Sequence, residues 1–71
     1  MQRYLILIET TPTGFSAYSP DLPGCVAAAT TQAEVEHAMR DAIELHLDAL
    51  RESGQPIPTG STSAAYVEVA A

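Results

Sequence analysis

Residues 31–54 constrain this chain more than any other stretch, because they read as one long amphipathic helix. Thr31 suits an N-cap, and Glu34 follows three residues later, the spacing of a capping box. At the far end Gly54 suits the first residue past the helix, and Pro56 forbids continuation. Between these signals Val35, Ala38, Met39, Ala42, Ile43, Leu45, Leu47, Ala49 and Leu50 recur at helical spacing and fill one broad side. Glu34, His37, Arg40, Asp41, Glu44, Asp48, Arg51 and Glu52 fill the other. Glu36 followed by Arg40 is the favourable i,i+4 order of an ion pair, worth a few tenths of a kcal/mol. Such a helix is half of a core, and the rest of the chain has to supply the other half.

The remainder is short apolar pieces. Residues 4–10 (YLILIET) have the length of a strand and are apolar on both faces, Tyr4, Ile6 and Ile8 on one and Leu5 and Leu7 on the other. Thr11-Pro12-Thr13-Gly14 reads as a turn, and residues 15–19 (FSAYS) as a second strand closing a hairpin. Pro20-Asp21-Leu22-Pro23-Gly24 reads as a stiff, ordered loop: two prolines fix φ, Gly24 can take a conformation other residues avoid, and Asp21 can hold nearby backbone N–H groups. Residues 25–30 (CVAAAT) form a third strand, whose small side chains let a helix come close. After the helix, residues 53–63 form a polar connector with Ile57 as its one anchor, and residues 64–69 (AAYVEV) read as a last strand. The order is β-β-β-α-β, an α/β (α+β) two-layer sandwich. A right-handed crossover places the fourth strand beside and parallel to the first, giving a predicted sheet order of 3-2-1-4. One helix then covers one face of the sheet only.

Seventy-one residues make a single domain, 1–71, with no separate DNA-binding domain expected. A core of this size seldom yields more than about 3–5 kcal/mol. Cys25 is the only cysteine, which excludes an internal disulfide and fits a reducing compartment. With one Cys and two His, no metal site and no cofactor are expected. Self-association, as a dimer or tetramer, is left as the way to bury more surface. The two apolar faces of the first strand make Leu5 and Leu7 the candidates for that homo-oligomer interface.

The net charge of −6 and a pI of about 4.4, with only Arg3, Arg40 and Arg51 as cations, argue against nucleic-acid binding, which needs Lys and Arg to displace counterions. They suit a soluble surface or a basic protein partner. The opening apolar run is far below a membrane span and shows no leader pattern, so a soluble cytoplasmic protein with no membrane contact is expected.

No constellation asks for catalysis. Glu9, Asp21, Glu44, Asp48 and Glu68 read as solvated carboxylates rather than a metal-binding set. Cys25 with His37 or His46 lacks an orienting third residue and an oxyanion site, and Cys25 reads as a small buried hydrophobe. His46 falls near the middle of the apolar helix side, where its polar tip needs a partner or an exit. The four glycines match no phosphate-binding spacing.

Four elements together carry a resemblance: Tyr18-Ser19-Pro20-Asp21-Leu22-Pro23-Gly24-Cys25, Thr31-Gln32-Ala33-Glu34, Glu44-Leu45-His46-Leu47 and Gly54-Gln55-Pro56-Ile57-Pro58. In that order the chain resembles the HicB antitoxin family. The resemblance implies a partial, degraded RNase H-like fold without nuclease activity, and so no enzyme. It implies the antitoxin half of a toxin–antitoxin system, neutralising a small, basic, mRNA-cleaving HicA-type toxin by protein–protein contact. Full-length members usually add a DNA-binding segment where this chain stops. The alternative reading is a stand-alone oligomeric HicB-like domain, structural or ligand-binding, with no toxin partner. The toxin-interface candidates are Tyr18, Asp21 and Leu22 in the stiff loop, with Glu44 and Asp48 on the polar helix face.

Overall fold

The computed structural model describes residues 2–70. Three strands and one helix follow in chain order: β1 (Leu7–Thr11), β2 (Gly14–Tyr18), β3 (Val26–Ala29) and α1 (Gln32–Glu52). The strands form an antiparallel sheet in the order β1-β2-β3. Pro12 and Thr13 make the tight turn of the first hairpin, with Thr11 opposite Gly14 and Leu7 opposite Tyr18. Tyr18 in turn faces Val26, and Phe15 faces Ala29.

The first strand is shorter at its start than the apolar run suggests. β2 ends at Tyr18 and the chain turns away at Ser19, so residues 4–6 have no ladder partner. The buried Ser19 substitutes with its side chain: its Oγ donates to the Leu5 carbonyl at 3.0 Å.

α1 begins and ends where its signals place it. The Thr31 hydroxyl accepts from the Glu34 backbone N–H at 3.1 Å and donates to the Glu34 carboxylate at 2.9 Å. Thr30 adds a second hydroxyl to that carboxylate at 2.8 Å. The Thr30 hydroxyl first, then that of Thr31, holds the Glu34 carboxyl below its ordinary pKa. At the C-terminus Gly54 sits at φ +71°, its N–H donates to Arg51 O at 3.1 Å, and Gln55 N–H donates to Leu50 O at 2.9 Å. That pair of bonds is a Schellman motif.

The helix lies over β3 and β2. Val35, Met39 and Leu47 are buried, and Ala38, Ala42, Ile43, His46 and Leu50 are partly buried beside them. They meet Ala17 and Cys25 from the sheet, Leu22 from the loop, and the flanking Tyr4, Ile6, Ile8 and Ile57. Small residues at Ala27 and Ala29 let the two layers close. Two residues assigned to the apolar side stand outside it: Leu45 is 73% exposed and Ala49 is exposed too. The Glu36–Arg40 spacing closes no ion pair among the described residues. Arg51 pairs with Asp48 at 3.0 Å, and His37 Nε2 lies 3.5 Å from the Asp41 carboxylate, both pairs exposed.

The fourth strand does not form. Among the described residues, 64–69 pair with no strand, and Tyr66, Val67 and Val69 are 105%, 81% and 77% exposed. The expected order 3-2-1-4 is therefore corrected to a three-stranded β1-β2-β3 sheet. The layer arrangement explains why. With α1 over β3 and β2, a strand added outside β1 has no helix above it within one chain.

Candidate functional site

The loop between β2 and β3 is built by two consecutive turns. Leu22 N–H donates to Ser19 O at 3.2 Å, and Cys25 N–H donates to Leu22 O at 3.1 Å. The second turn has Pro23 at its second position and Gly24 at its third, with Gly24 at φ +89°, the sequence and conformation of a type II turn. Ser19 N–H closes the loop against Cys25 O at 3.3 Å.

The loop's two site candidates have internal partners. The Asp21 carboxylate accepts from the backbone N–H groups of Ser61 (3.2 Å) and Thr62 (3.1 Å), and from the hydroxyls of Thr62 (2.7 Å) and Ser61 (3.4 Å). These bonds, the Thr62 hydroxyl foremost, hold its pKa below the usual carboxylate value. Asp21 thus holds backbone N–H groups, as its residue type suggests, but distant ones, and its acceptor sites are in use. Leu22, expected at an interface, is 0% exposed. Its side chain turns inward to join Ala17, Val35 and Met39 in the core, so it supports the loop from below and offers no contact surface. Cys25 is buried as expected, with its thiol 4.0 Å from the Ala42 carbonyl, and burial raises its pKa.

Tyr18 lies on the other side of the sheet. Because Ala17 is buried against the helix, its neighbours in alternation point away. Leu7, Tyr18 and Val26 stand in register across all three strands and make an apolar row on that open face. Tyr18 is 41% and Val26 66% exposed, while Leu7 and Leu5 are partly buried.

Glu44 and Asp48 occupy the opposite layer, on the solvent side of α1. Asp41, Glu44, Asp48 and Glu52 are all exposed there. In their midst is Leu45, the residue missed by sequence reasoning. The spacing contained a signal for it, since Asp41 and Asp48 stand at i−4 and i+3 from Leu45 and share its face. The site candidates therefore fall into two groups on opposite layers, an apolar sheet face and an acidic helix face with an apolar centre. Among the described residues no three of His, Cys, Asp and Glu gather as a metal site, and no helix is long and apolar enough to cross a membrane.

A three-stranded antiparallel sheet backed by one long helix, with an apolar row on the open sheet face and exposed carboxylates on the helix, defines a small α+β domain. The model of the HicB-like antitoxins of bacterial toxin–antitoxin systems matches residues 4–70, and the chain belongs to that family. It is similar to a chain of the solved HicA3 and HicB3 toxin–antitoxin complex, with 35% sequence identity and a TM-score of 0.71 over 84% of this chain and 70% of that one. It is also 30% identical over 64 residues to a 14.9 kDa protein from the rep–hol intergenic region of Haemophilus phage HP1. That match takes in 90% of this chain and 48% of the phage protein, so the chain spans about half the length of this curated relative.

Proposed function

We propose that this chain acts by binding, as an antitoxin that masks a small basic HicA-type toxin, and that the acidic face of α1 is the docking surface. The observation that carries this reading is Leu45, 73% exposed with Asp41, Glu44 and Asp48 around it. An apolar centre within a charged rim is the anatomy of a protein interface, and the acidic rim complements a basic partner. The likeness to a chain of a HicA3 and HicB3 complex supports a toxin of that type as the partner. The loop candidates are less suited, since the Asp21 oxygens are taken and Leu22 is inside. Tyr18 remains open to a partner, but on the opposite layer. Masking is stoichiometric and uses no catalytic group of this chain.

The test is calorimetric titration of the chain with a HicA-type toxin at low and high salt. Leu45→Ala and the pair Glu44→Lys with Asp48→Lys are expected each to weaken binding by more than about 1 kcal/mol, the scale of a hot spot. The wild-type on-rate is expected to fall with salt. Tyr18→Ala is expected to leave affinity unchanged. Loss at Tyr18 without loss at the helix moves the interface to the sheet. No binding to the toxin at all leaves the stand-alone oligomeric domain as the better reading.

A further inference from the structure

We propose that the outer edge of β3 takes an extended segment of the basic partner as an added strand, whose Lys or Arg side chains enter the groove between β3 and the first turns of α1. This rests on the docking reading above and gives that partner a second contact. The hydrogen-bond pattern shows which groups the edge offers. Ser19 N–H donates to Cys25 O at 3.3 Å, and bonded pairs alternate with unbonded ones along an antiparallel ladder. Ala17 with Ala27 and Phe15 with Ala29 are therefore the next bonded pairs. The backbone N–H and C=O groups of Val26 and Ala28 then point away from β2, and among the described residues no strand pairs with them.

Edge strands are ordinarily blunted by a charge, a proline or a bulge. β3 reads Val-Ala-Ala-Ala, and its register with β2 runs without a break. The edge also lies beside α1, which packs over β3 and β2. A strand laid along it therefore has the helix next to its inward side chains. The space for those side chains is there: a groove lined by Ala29, Ala33 and Ala38, whose methyl groups leave it open, and by the exposed Glu34, His37 and Asp41. Main-chain bonds to a sheet edge, with a groove for alternate side chains, are the two parts of strand addition.

Charge selects a basic partner over a second copy for this edge. The groove holds two carboxylates and no Lys or Arg. One carboxylate, that of Glu34, is fixed in place by the Thr30 and Thr31 hydroxyls. A second copy brings its own net charge of −6 and three arginines in all. The complementary segment alternates, with Lys or Arg toward Glu34 and Asp41 and apolar residues on the other side, next to the exposed Val26. Asp41 lies one helical turn before Leu45, so the groove runs into the acidic face and one partner can span both.

Two titrations test the edge apart from the helix face. In the first, NMR follows isotope-labelled chain against the peptide acetyl-Val-Arg-Val-Arg-Val-amide and its counterpart with Glu for Arg. The arginine peptide is expected to shift the Val26 and Ala28 amides, protect them from exchange, and bind at least tenfold more tightly than the glutamate peptide. In the second, a HicA-type toxin is titrated with Ala28→Pro, which removes an outward N–H and no ladder bond, and with Ala33→Arg, which puts a cation in the groove. Each is expected to weaken binding at least tenfold, with circular dichroism establishing that the variant keeps its fold. Toxin binding weakened by Leu45→Ala but by neither of these overturns the inference and leaves the docking reading standing. A toxin that does not bind, with the arginine peptide still seated on Val26 and Ala28, overturns the docking reading and supports the edge as a site for a basic strand. An arginine peptide that moves neither amide overturns the inference. So does a glutamate peptide that binds equally well, or protection of Val26 and Ala28 that rises with chain concentration alone and so reports a second copy.

Discussion

The Asp21 carboxylate holds Thr62 twice, through its backbone N–H at 3.1 Å and its hydroxyl at 2.7 Å, across 41 positions of sequence. This clamp ties the loop between β2 and β3 to the connector beyond the helix, and it positions the start of the exposed segment. Tyr4 adds a second tie, its hydroxyl donating to the Pro58 carbonyl at 2.6 Å.

The clamp makes stability depend on pH on the acid side. The folded-state pKa of Asp21 lies below its unfolded value, and Glu34 is shifted the same way. The ionised forms therefore favour the fold. Their contribution is complete above the unfolded carboxylate range of about 4 and is lost as pH falls through the folded values. Thermal melts from pH 7 to pH 3 are expected to show the decline, and Asp21→Asn to lower the neutral-pH melting temperature and flatten the acid slope. A slope identical in Asp21→Asn and wild type would show the clamp to be energetically silent.

Two leucines are expected to behave oppositely. Leu22 is fully buried in a loop, and Leu45 is exposed in a helix. Leu22→Ala is expected to cost about 2–5 kcal/mol, the range for truncating a core leucine. Leu45→Ala is expected to stay within about 0.5 kcal/mol, as for a surface change. Urea unfolding followed by circular dichroism measures both.

The start of α1 depends on one hydroxyl. Thr31→Ala removes both the acceptor for the Glu34 N–H and a donor to its carboxylate, at an expected cost of about 1 kcal/mol. For a domain of this size that corresponds to a fall of about 4–8 °C in Tm. Thr31→Ser keeps the hydroxyl and is expected to retain most of the stability.

The helix was legible in sequence because its signals are local: Thr31, Glu34 and Gly54 act within a turn of where they stand. The first hairpin was legible for the same reason, through Pro12-Thr13. The misreadings have non-local causes. Residues 64–69 carry a strand pattern, but whether a strand forms depends on an edge and a cover that no window of sequence contains. Asp21 shows an acid in a proline loop and gives no sign of Ser61 and Thr62. Leu22 sits between Asp21 and Pro23, a polar and stiff setting that suggests surface, whereas two consecutive turns aim it inward. Leu45 sits at the border of the apolar arc, and only the offset of α1 toward β3 and β2 decides that it faces water. His46, placed by angle within the apolar side, is partly buried there.

The acidic helix face and the open sheet face belong to opposite layers, so filling one does not obstruct the other. A partner seated on α1 would leave the Leu7–Tyr18–Val26 row uncovered, so one chain would have room for two different bodies at once.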